Sequence, residues 1–285
     1  LEGDCIRCMY HGAKFAIDGT CIEIPGQKLV PPAARVRSYP VVSRNKWVWI
    51  WPGDPDKADA SLIPDAFSLN HKDWAMKPGY LHYKANQLLI VDNLLDFSHL
   101  AWVHPTTLGG TEDIADSMPR IERLERGVQV TRWLIDNVPA PFHEKVRHFA
   151  GNVDRWHIYN FLIPGVLLMY SGVQPTGTGA PEGHIEDALE FRSCQAVTPE
   201  TDRTTHYFFA VPHNFEIGRR EITDAIFDST VAAFEEDKAM IEAQQNNLDH
   251  DPTIHMMTVA NDAALVQFRR LIDKARHEEA VAARH

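Results

Sequence analysis

Polar and apolar positions follow different periods in different stretches of this chain. From residue 1 to about 53, segments such as CIEIPGQ and ARVRSYPVVSRNKWVWIWPGD alternate β-branched or aromatic residues with polar ones. Gly and Pro punctuate them, which predicts short strands. The following WPGDPDKADASLIPD is polar and Pro-rich and reads as a connector, so a boundary is expected near residue 54. Beyond it, YLHYKANQLLIV predicts an extended segment and NLLDFSHLAWVHPTTLGG, residues 93 to 110, a helix. Strands are predicted in RGVQVTRWLID, RWHIYNFLIPGVLLMYSGV, IEDALEFRSCQAVTPET and RTTHYFFAVPHNF. Helical periodicity returns in EITDAIFDSTVAAFEEDKAMIEAQQNNLD and again in DAALVQFRRLIDKARHEEAVAARH. The chain is therefore read as α+β: residues 1–54 all-β, and residues 55–285 an antiparallel sheet packed by a long C-terminal helix. It contains no internal repeat.

Composition narrows the function. With 285 residues, 44% of them hydrophobic, the chain can bury a full core. Its formal net charge of -11 repels phosphate backbones and anionic lipid surfaces, which argues against nucleic acid and membrane as partners. No run approaches the roughly 20 apolar residues that span a bilayer, and a soluble, cytoplasmic protein is expected. Cys5, Cys8, Cys21 and Cys194 are too few and too uneven for a disulfide framework. The text begins LEGDCIRCMYHG, already inside a strand-like and ligand-like pattern, so an N-terminal truncation is expected.

Three features can carry chemistry. Cys8-Met9-Tyr10-His11-Gly12 offers a thiolate and an imidazole across a tight turn, where one metal could take both. A buried cysteine beside an unrelated histidine would look the same, and Cys5 invites a zinc reading, although no second ligand cluster follows at zinc-ribbon spacing. The second feature places Asp96, His99 and His104 among Leu95, Phe97, Leu100, Trp102 and Val103. Burying three ionisable groups there with no neutralising charge costs on the order of several kcal/mol. On an ideal helix His99 and His104 point about 140° apart, so they share a ligand only if the helix ends or distorts between them. His104-Pro105 supplies a reason for such a break. The third feature is the seam Val231, Phe234, Ile241, in which Asp237 takes the intervening inward place. Alternatively, that helix is rotated slightly and Asp237 is solvated beside Glu235, Glu236 and Lys238.

Two histidines and a distant carboxylate are the ligand set of a mononuclear non-haem iron(II) centre, and a Cys-x-x-His loop is half of a Rieske [2Fe-2S] site. With both present, the chain resembles the oxygenase components of Rieske non-haem iron monooxygenases, closest to the vanillate O-demethylase type, with dicamba demethylase and toluenesulfonate methyl-monooxygenase groups nearby. The resemblance is carried by CMYHGAKF (8–15), WVWIWPGD (47–54), DNLLDFSHLAWVHPTTLGG (92–110), AVTPETD (196–202), HNF (213–215) and EEDKAMIEAQQ (235–245). Asn93, Asp96, His99 and His104 match the family's Asn-x-x-Asp-x-x-His-x-x-x-x-His pattern without a gap.

The resemblance implies a truncated all-β Rieske domain followed by a helix-grip (START-like) catalytic domain. It implies Fe(2+) held by His99, His104 and Asp237, and Cys8 and His11 as two of the four ligands of a [2Fe-2S] cluster. The upstream Cys-x-His pair that would complete the cluster is not in this text. Asn93 and Asp96 would be catalytic, Asp96 bridging by hydrogen bonds to a cluster histidine of the neighbouring subunit in a homotrimer. The partners implied are an NAD(P)H-dependent flavin and iron-sulfur reductase, O2 and an aromatic substrate. The reaction implied is hydroxylation or O-demethylation of a methoxylated aromatic acid such as vanillate, or attack on an arenesulfonate or chlorinated anisate. Arg155, Trp156, His157, His206 and His213 stand as candidate polar groups of the pocket. A zinc-dependent hydrolase with the same His, His, Asp set, or a metal-free ligand-binding module, are the competing classes.

Overall fold

The computed structural model describes residues 1–109 and 112–282; Gly110, at the end of the histidine motif, and the last three residues of the C-terminal helical pattern lie outside the described residues. The chain divides into two compact units, Leu1–Asp65 and Ala66–His285. This division lies beyond residue 54 because the Pro-rich stretch is not an open linker. The Asp54 and Asp59 side chains each accept a backbone N–H two residues on, at 3.1 and 2.8 Å, and wind residues 55–57 and 60–62 into 3-10 turns that belong to the first unit.

The first unit is all-β. Strands β1 (Ile6–Arg7), β2 (Lys14–Phe15) and β3 (Cys21–Glu23) form an antiparallel sheet, and β4 (Val41–Arg44) pairs with β5 (Trp47–Ile50).

The second unit is built on seven antiparallel strands: β6 (Pro78–Tyr83), β7 (Arg120–Leu124), β8 (Gly127–Asn137), β9 (Val153–Leu162), β10 (Val166–Pro175), β11 (Leu189–Thr201) and β12 (Thr204–Ala210). Their spatial order is β6-β12-β11-β10-β9-β8-β7. Helices α1 (Gln87–Leu95), α2 (Leu100–Val103), α3 (Asp113–Asp116) and α4 (Pro141–Glu144) lie in the loops, and α5 (Arg220–His250) and α6 (Ala263–Ala282) close the chain.

Two sequence expectations change. The segment YLHYKANQLLIV is extended only as far as Tyr83. Asn86 accepts the Leu88 N–H at 2.9 Å, caps α1, and turns the remainder helical, so that Leu89, Ile90, Val91, Leu94 and Leu95 are buried in the main core. The apolar run RWHIYNFLIPGVLLMYSGV is two strands, because Ile163-Pro164-Gly165 turns the chain and β9 returns as β10 with Val166 opposite Leu162.

Side chains alternate across a sheet, so register decides which residues share a face. One face carries the rows Val128, Phe161, Leu167, Gln195 and Phe209; then Val130, Tyr159, Met169 and Ser193; then Arg132, His157, Ser171 and Phe191; then Leu134, Arg155, Val173 and Leu189. Helix α5 contributes Phe234 and Ile241 and α6 contributes Phe268 and Leu271 to the core that contains Phe161, Leu167 and Phe209. The 31 residues of α5 reach about 46 Å, enough to run across the sheet and deliver one side chain deep into it.

The opposite face of the sheet is tight at Gly172, where a Cβ would stand 2.0 Å from Cζ2 of the buried Trp156. Gly172→Ala is expected to destabilise the protein by about 1–3 kcal/mol through overpacking. Urea unfolding followed by tryptophan fluorescence checks it, with a lowered midpoint and an unchanged slope as the outcome.

Candidate metal centre

The helix that carries the histidine motif ends at Asp96, before either histidine. Asp96 is extended (φ -123, ψ 107), and its carboxylate accepts the Ser98 N–H at 2.8 Å and the Ser98 hydroxyl at 2.7 Å, starting a new 3-10 turn over Phe97–His99. The chain then re-enters α2 and leaves it at His104, whose ψ of 42 takes it out of the helical region ahead of Pro105. Breaks at both ends of a short segment, rather than a single break between the histidines, are what allow the rings to meet. Their centroids are 5.3 Å apart.

The third member comes from α5. Asp237 is only 4% exposed, in a buried seam with Ile226, Thr230, Phe234, Ile241 and Gln245, so the solvated orientation is not the one adopted. Its Oδ1 lies 3.0 Å from His104 Nε2 and 3.4 Å from His99 Nε2. Asn93, one turn before the break in α1, donates its side-chain N–H to the same Oδ1 at 2.9 Å.

Hydrogen bonds fix which ring nitrogens are free. His99 Nδ1 donates to the Asp96 backbone carbonyl at 2.5 Å, and His104 Nδ1 donates to Glu236 Oε2 at 2.7 Å. Neither oxygen can donate, so the proton of each neutral ring sits on Nδ1 and the Nε2 lone pairs face Asp237. Accordingly, His104 Nε2 is buried and makes no hydrogen bond although a carboxylate oxygen is 3.0 Å away. Two acceptors at that distance need a proton or a metal ion between them. Donors bound at right angles by bonds of about 2.1 Å would stand about 3.0 Å apart, close to the two spacings from Asp237 Oδ1 to the rings. The ligating atoms of His99, His104 and Asp237 all lie within 4.8 Å of one another, so the donor set fits a single divalent ion. Burial pushes the Asp237 carboxyl up, but when the two rings are protonated their N–H groups and positive charge outweigh burial and hold it down at about 2. The same contacts raise His104, so a positive charge between these groups is favoured whether a proton or a metal ion carries it.

Glu236 was not legible as a partner of this centre, because it stands in a charged run that normally marks a solvated face. It accepts from the Thr107 hydroxyl at 2.6 Å as well as from His104, and so orients the ligand ring. A cavity of about 100 Å3 opens beside the three ligands, walled by Phe97, Leu100, Met169, Phe191 and Phe234.

Of the candidate pocket groups, Arg155 and His157 line this cavity. Trp156 faces the other side of the sheet, against Trp133 and Tyr170. His206 pairs with Tyr80 in a half-exposed position, and the rings of His213 bond to the Phe215 carbonyl and the Thr223 hydroxyl. His143, which the sequence did not single out, also lines the cavity.

In the first unit, Cys8 and His11 are exposed on a turn closed by the Gly12 N–H bonding to the Cys8 carbonyl at 2.9 Å, with Gly12 at a φ of 76 that favours glycine. They offer one thiolate and one imidazole where a Rieske cluster takes two of each. This pair by itself does not fit a whole cluster.

Comparison with known proteins gives a consistent picture. Residues 83–278 match the family model of the vanillate O-demethylase oxygenase C-terminal domain. The toluene-4-sulfonate monooxygenase system iron-sulfur subunit TsaM1 of Comamonas testosteroni is 49% identical over 277 residues, covering 96% of this chain and 80% of that protein. The vanillate O-demethylase oxygenase subunit of Pseudomonas sp. strain HR199 is 33% identical over 283 residues, covering 97% and 79%. A crystal structure of dicamba monooxygenase with non-heme iron and dicamba superposes with a TM-score of 0.79 at 28% identity, covering 99% of this chain and 82% of that one.

Removing the second carboxylate tests the tautomer argument. Glu236→Ala is expected to lower ferrous-ion affinity about 10- to 100-fold, while Asp237→Ala abolishes stoichiometric binding. Anaerobic metal titration with circular dichroism as a check on folding measures both, and unchanged affinity in Glu236→Ala would mean that His104 is oriented by packing alone.

Proposed function

This chain belongs to the vanillate O-demethylase oxygenase family, and from that premise we propose that it is the iron-bearing oxygenase component of a reductase-dependent monooxygenase acting on a methyl or methoxy substituent of an aromatic acid. The observation that carries this reading is the convergence of His99, His104 and Asp237, with their Nε2 and Oδ1 atoms turned toward one point beside an apolar cavity. His99, His104 and Asp237 would hold Fe(2+) beside the cavity. When bound, that ion supplies the activation of O2 by which one oxygen atom enters a C–H bond and the other leaves as water, two electrons and two protons being consumed.

The chain's own groups do the rest. Phe97, Leu100, Phe191 and Phe234 take up a ring and exclude water, in a cavity of the order of the roughly 150 Å3 apolar cavities that accept benzene. Asn93 holds the Asp237 carboxylate, and the Asp96 carbonyl and Glu236 hold the two imidazoles in the tautomer that ligates. On an aryl methyl ether the hydroxylated methyl is a hemiacetal, which collapses to a phenol and formaldehyde. On an aryl methyl group the product is a benzylic alcohol.

An NAD(P)H-dependent reductase would be the electron source, and residues 1–54 would belong to a Rieske domain in which Cys8 and His11 supply two of the four ligands of a [2Fe-2S] cluster. In a homotrimer Asp96, half-buried at the break after α1, would face the cluster of a neighbouring subunit. The 49% identity to the toluene-4-sulfonate system subunit, against 33% to the vanillate subunit, favours a methyl-arenesulfonate over a methoxybenzoate.

The holo-oxygenase, supplied with its reductase, NADH and O2, is expected to convert 4-toluenesulfonate to 4-(hydroxymethyl)benzenesulfonate, and methoxybenzoates to phenols with equimolar formaldehyde at a lower rate. His99→Ala is expected to lose at least 1,000-fold in turnover, about 4 kcal/mol of barrier. Product formation without O2 or reductase, or with zinc in place of iron, would overturn the oxygenase reading in favour of a hydrolase.

A further inference from the structure

The wall of the cavity formed by the sheet carries a group that the proposed chemistry at the metal does not use. Arg155 lies on β9 in the row Leu134, Arg155, Val173, Leu189, where every other member is apolar. It is 2% exposed, and its Nε and Nη1 atoms are buried with no hydrogen-bond partner. A buried guanidinium without a partner is costly, and proteins rarely keep one. Burial alone, with no carboxylate offsetting it, pushes Arg155 down to about 10, so it remains a cation at neutral pH.

Its surroundings share the same incompleteness. His157, two residues along the strand and on the same face, has both ring nitrogens buried and unbonded, and His143 Nδ1 is likewise unsatisfied. Burial, reinforced by the Arg155 charge, pushes both imidazoles down, His157 to about 3, so both are neutral rings with one N–H each. All three side chains line the cavity that holds the metal-site residues. A guanidinium fork with two neutral N–H donors beside it, in a buried pocket, is built to receive an oxyanion.

We infer that Arg155 is the anion anchor of this cavity, pairing with the sulfonate or carboxylate of the aromatic substrate while His143 and His157 donate to its remaining oxygens. This rests on the reading of the cavity as the site of an aromatic acid, and it deepens that reading by naming the side chain that recognises the acid's negative charge. The anion brings the compensation that the protein withholds. Neutral aromatics of the same size leave the guanidinium unpaired and are disfavoured for that reason, the logic by which a site built around buried polar groups rejects analogues that cannot satisfy them.

The test uses the iron-loaded holoprotein under anaerobic conditions, titrated calorimetrically with 4-toluenesulfonate, 4-methoxybenzoate and the uncharged 4-tolyl methyl sulfone, with wild type, Arg155→Met and Arg155→Lys compared. Arg155→Met is expected to weaken both anions roughly 30-fold or more, to leave the sulfone unchanged or tighter, and to raise the melting temperature of the ligand-free protein because an unpaired buried cation is gone. Arg155→Lys keeps the charge and recovers part of the anion affinity. Whichever anion loses more identifies the natural oxyanion. If Arg155→Met binds both anions as wild type does, or weakens anions and sulfone equally, the anchor is elsewhere and the inference falls, even with turnover intact. If binding depends on Arg155 but no O2-dependent product forms from any bound anion, the oxygenase reading fails and the anion site stands.

Discussion

One buried carboxylate organises this molecule. Asp237 sits in the inward seam of a 31-residue helix, where an aliphatic residue would pack without electrostatic cost. An isolated charge in that position is strongly disfavoured. The structure keeps it by turning two imidazoles toward it from a separate stretch of chain and by adding the Asn93 amide. The two rings in turn give their protons to oxygens behind them, so they present lone pairs and not N–H groups to the carboxylate. Facing acceptors of this kind are stabilised by a shared positive charge, a proton or a metal ion. The fitness of the site for a metal therefore comes from the backing hydrogen bonds as much as from the three side chains themselves.

That requirement explains the local backbone. A continuous helix from Gln87 through His104 would splay the histidines, and the chain avoids it with a cap at Asp96 and an exit at His104. The Asp96 side chain makes the first break while its main-chain carbonyl holds the His99 ring, so one residue ends the helix and orients the ligand that follows. Extended backbone at Asp96 also carries its carboxylate to the edge of the site rather than into it.

Much of this was legible in the sequence, for physical reasons that can be named. His99, His104 and Asp237 stood out because each occupies a place where the apolar period demands a hydrophobic residue. Residues 127–137 and 189–201 read correctly as strands because their alternation is strong. Failures came where a side-chain hydrogen bond outweighs pattern: Asn86 converts an apparently extended run into α1, and Asp54 and Asp59 fold an apparent linker. Glu236 was hidden because charged neighbours on a helix look alike in text, and only the packing of His104 against that turn separates the one that is a partner from those that are solvated. The period-two placement of Arg155 and His157 with Val153, Tyr159 and Phe161 did hold a signal. A cation in an otherwise inward row of a strand is as informative as an acid in an inward helix seam.

Those two anomalies belong to one electrostatic design. The helical wall of the cavity brings the Asp237 carboxylate, while Arg155 and His157 on the sheet and His143 beside them bring a cation and two neutral imidazoles. In a medium of low dielectric the unpaired guanidinium attracts an anion far more strongly than it would in water, whereas the Asp237 charge is offset by the cation that its own site takes up. On the proposed anchoring, the charged end of an aromatic anion would go to the guanidinium and its uncharged end would be left toward His99, His104 and Asp237. Steric fit in an apolar pocket distinguishes groups by a methylene at most, on the order of 1–3 kcal/mol. A buried cation that only an anion can satisfy adds a selection that shape cannot supply, and a cation site at Asp237 together with an anion site at Arg155 explains why a helix and a strand each keep an ionised residue in a position where an aliphatic one would stabilise the fold more.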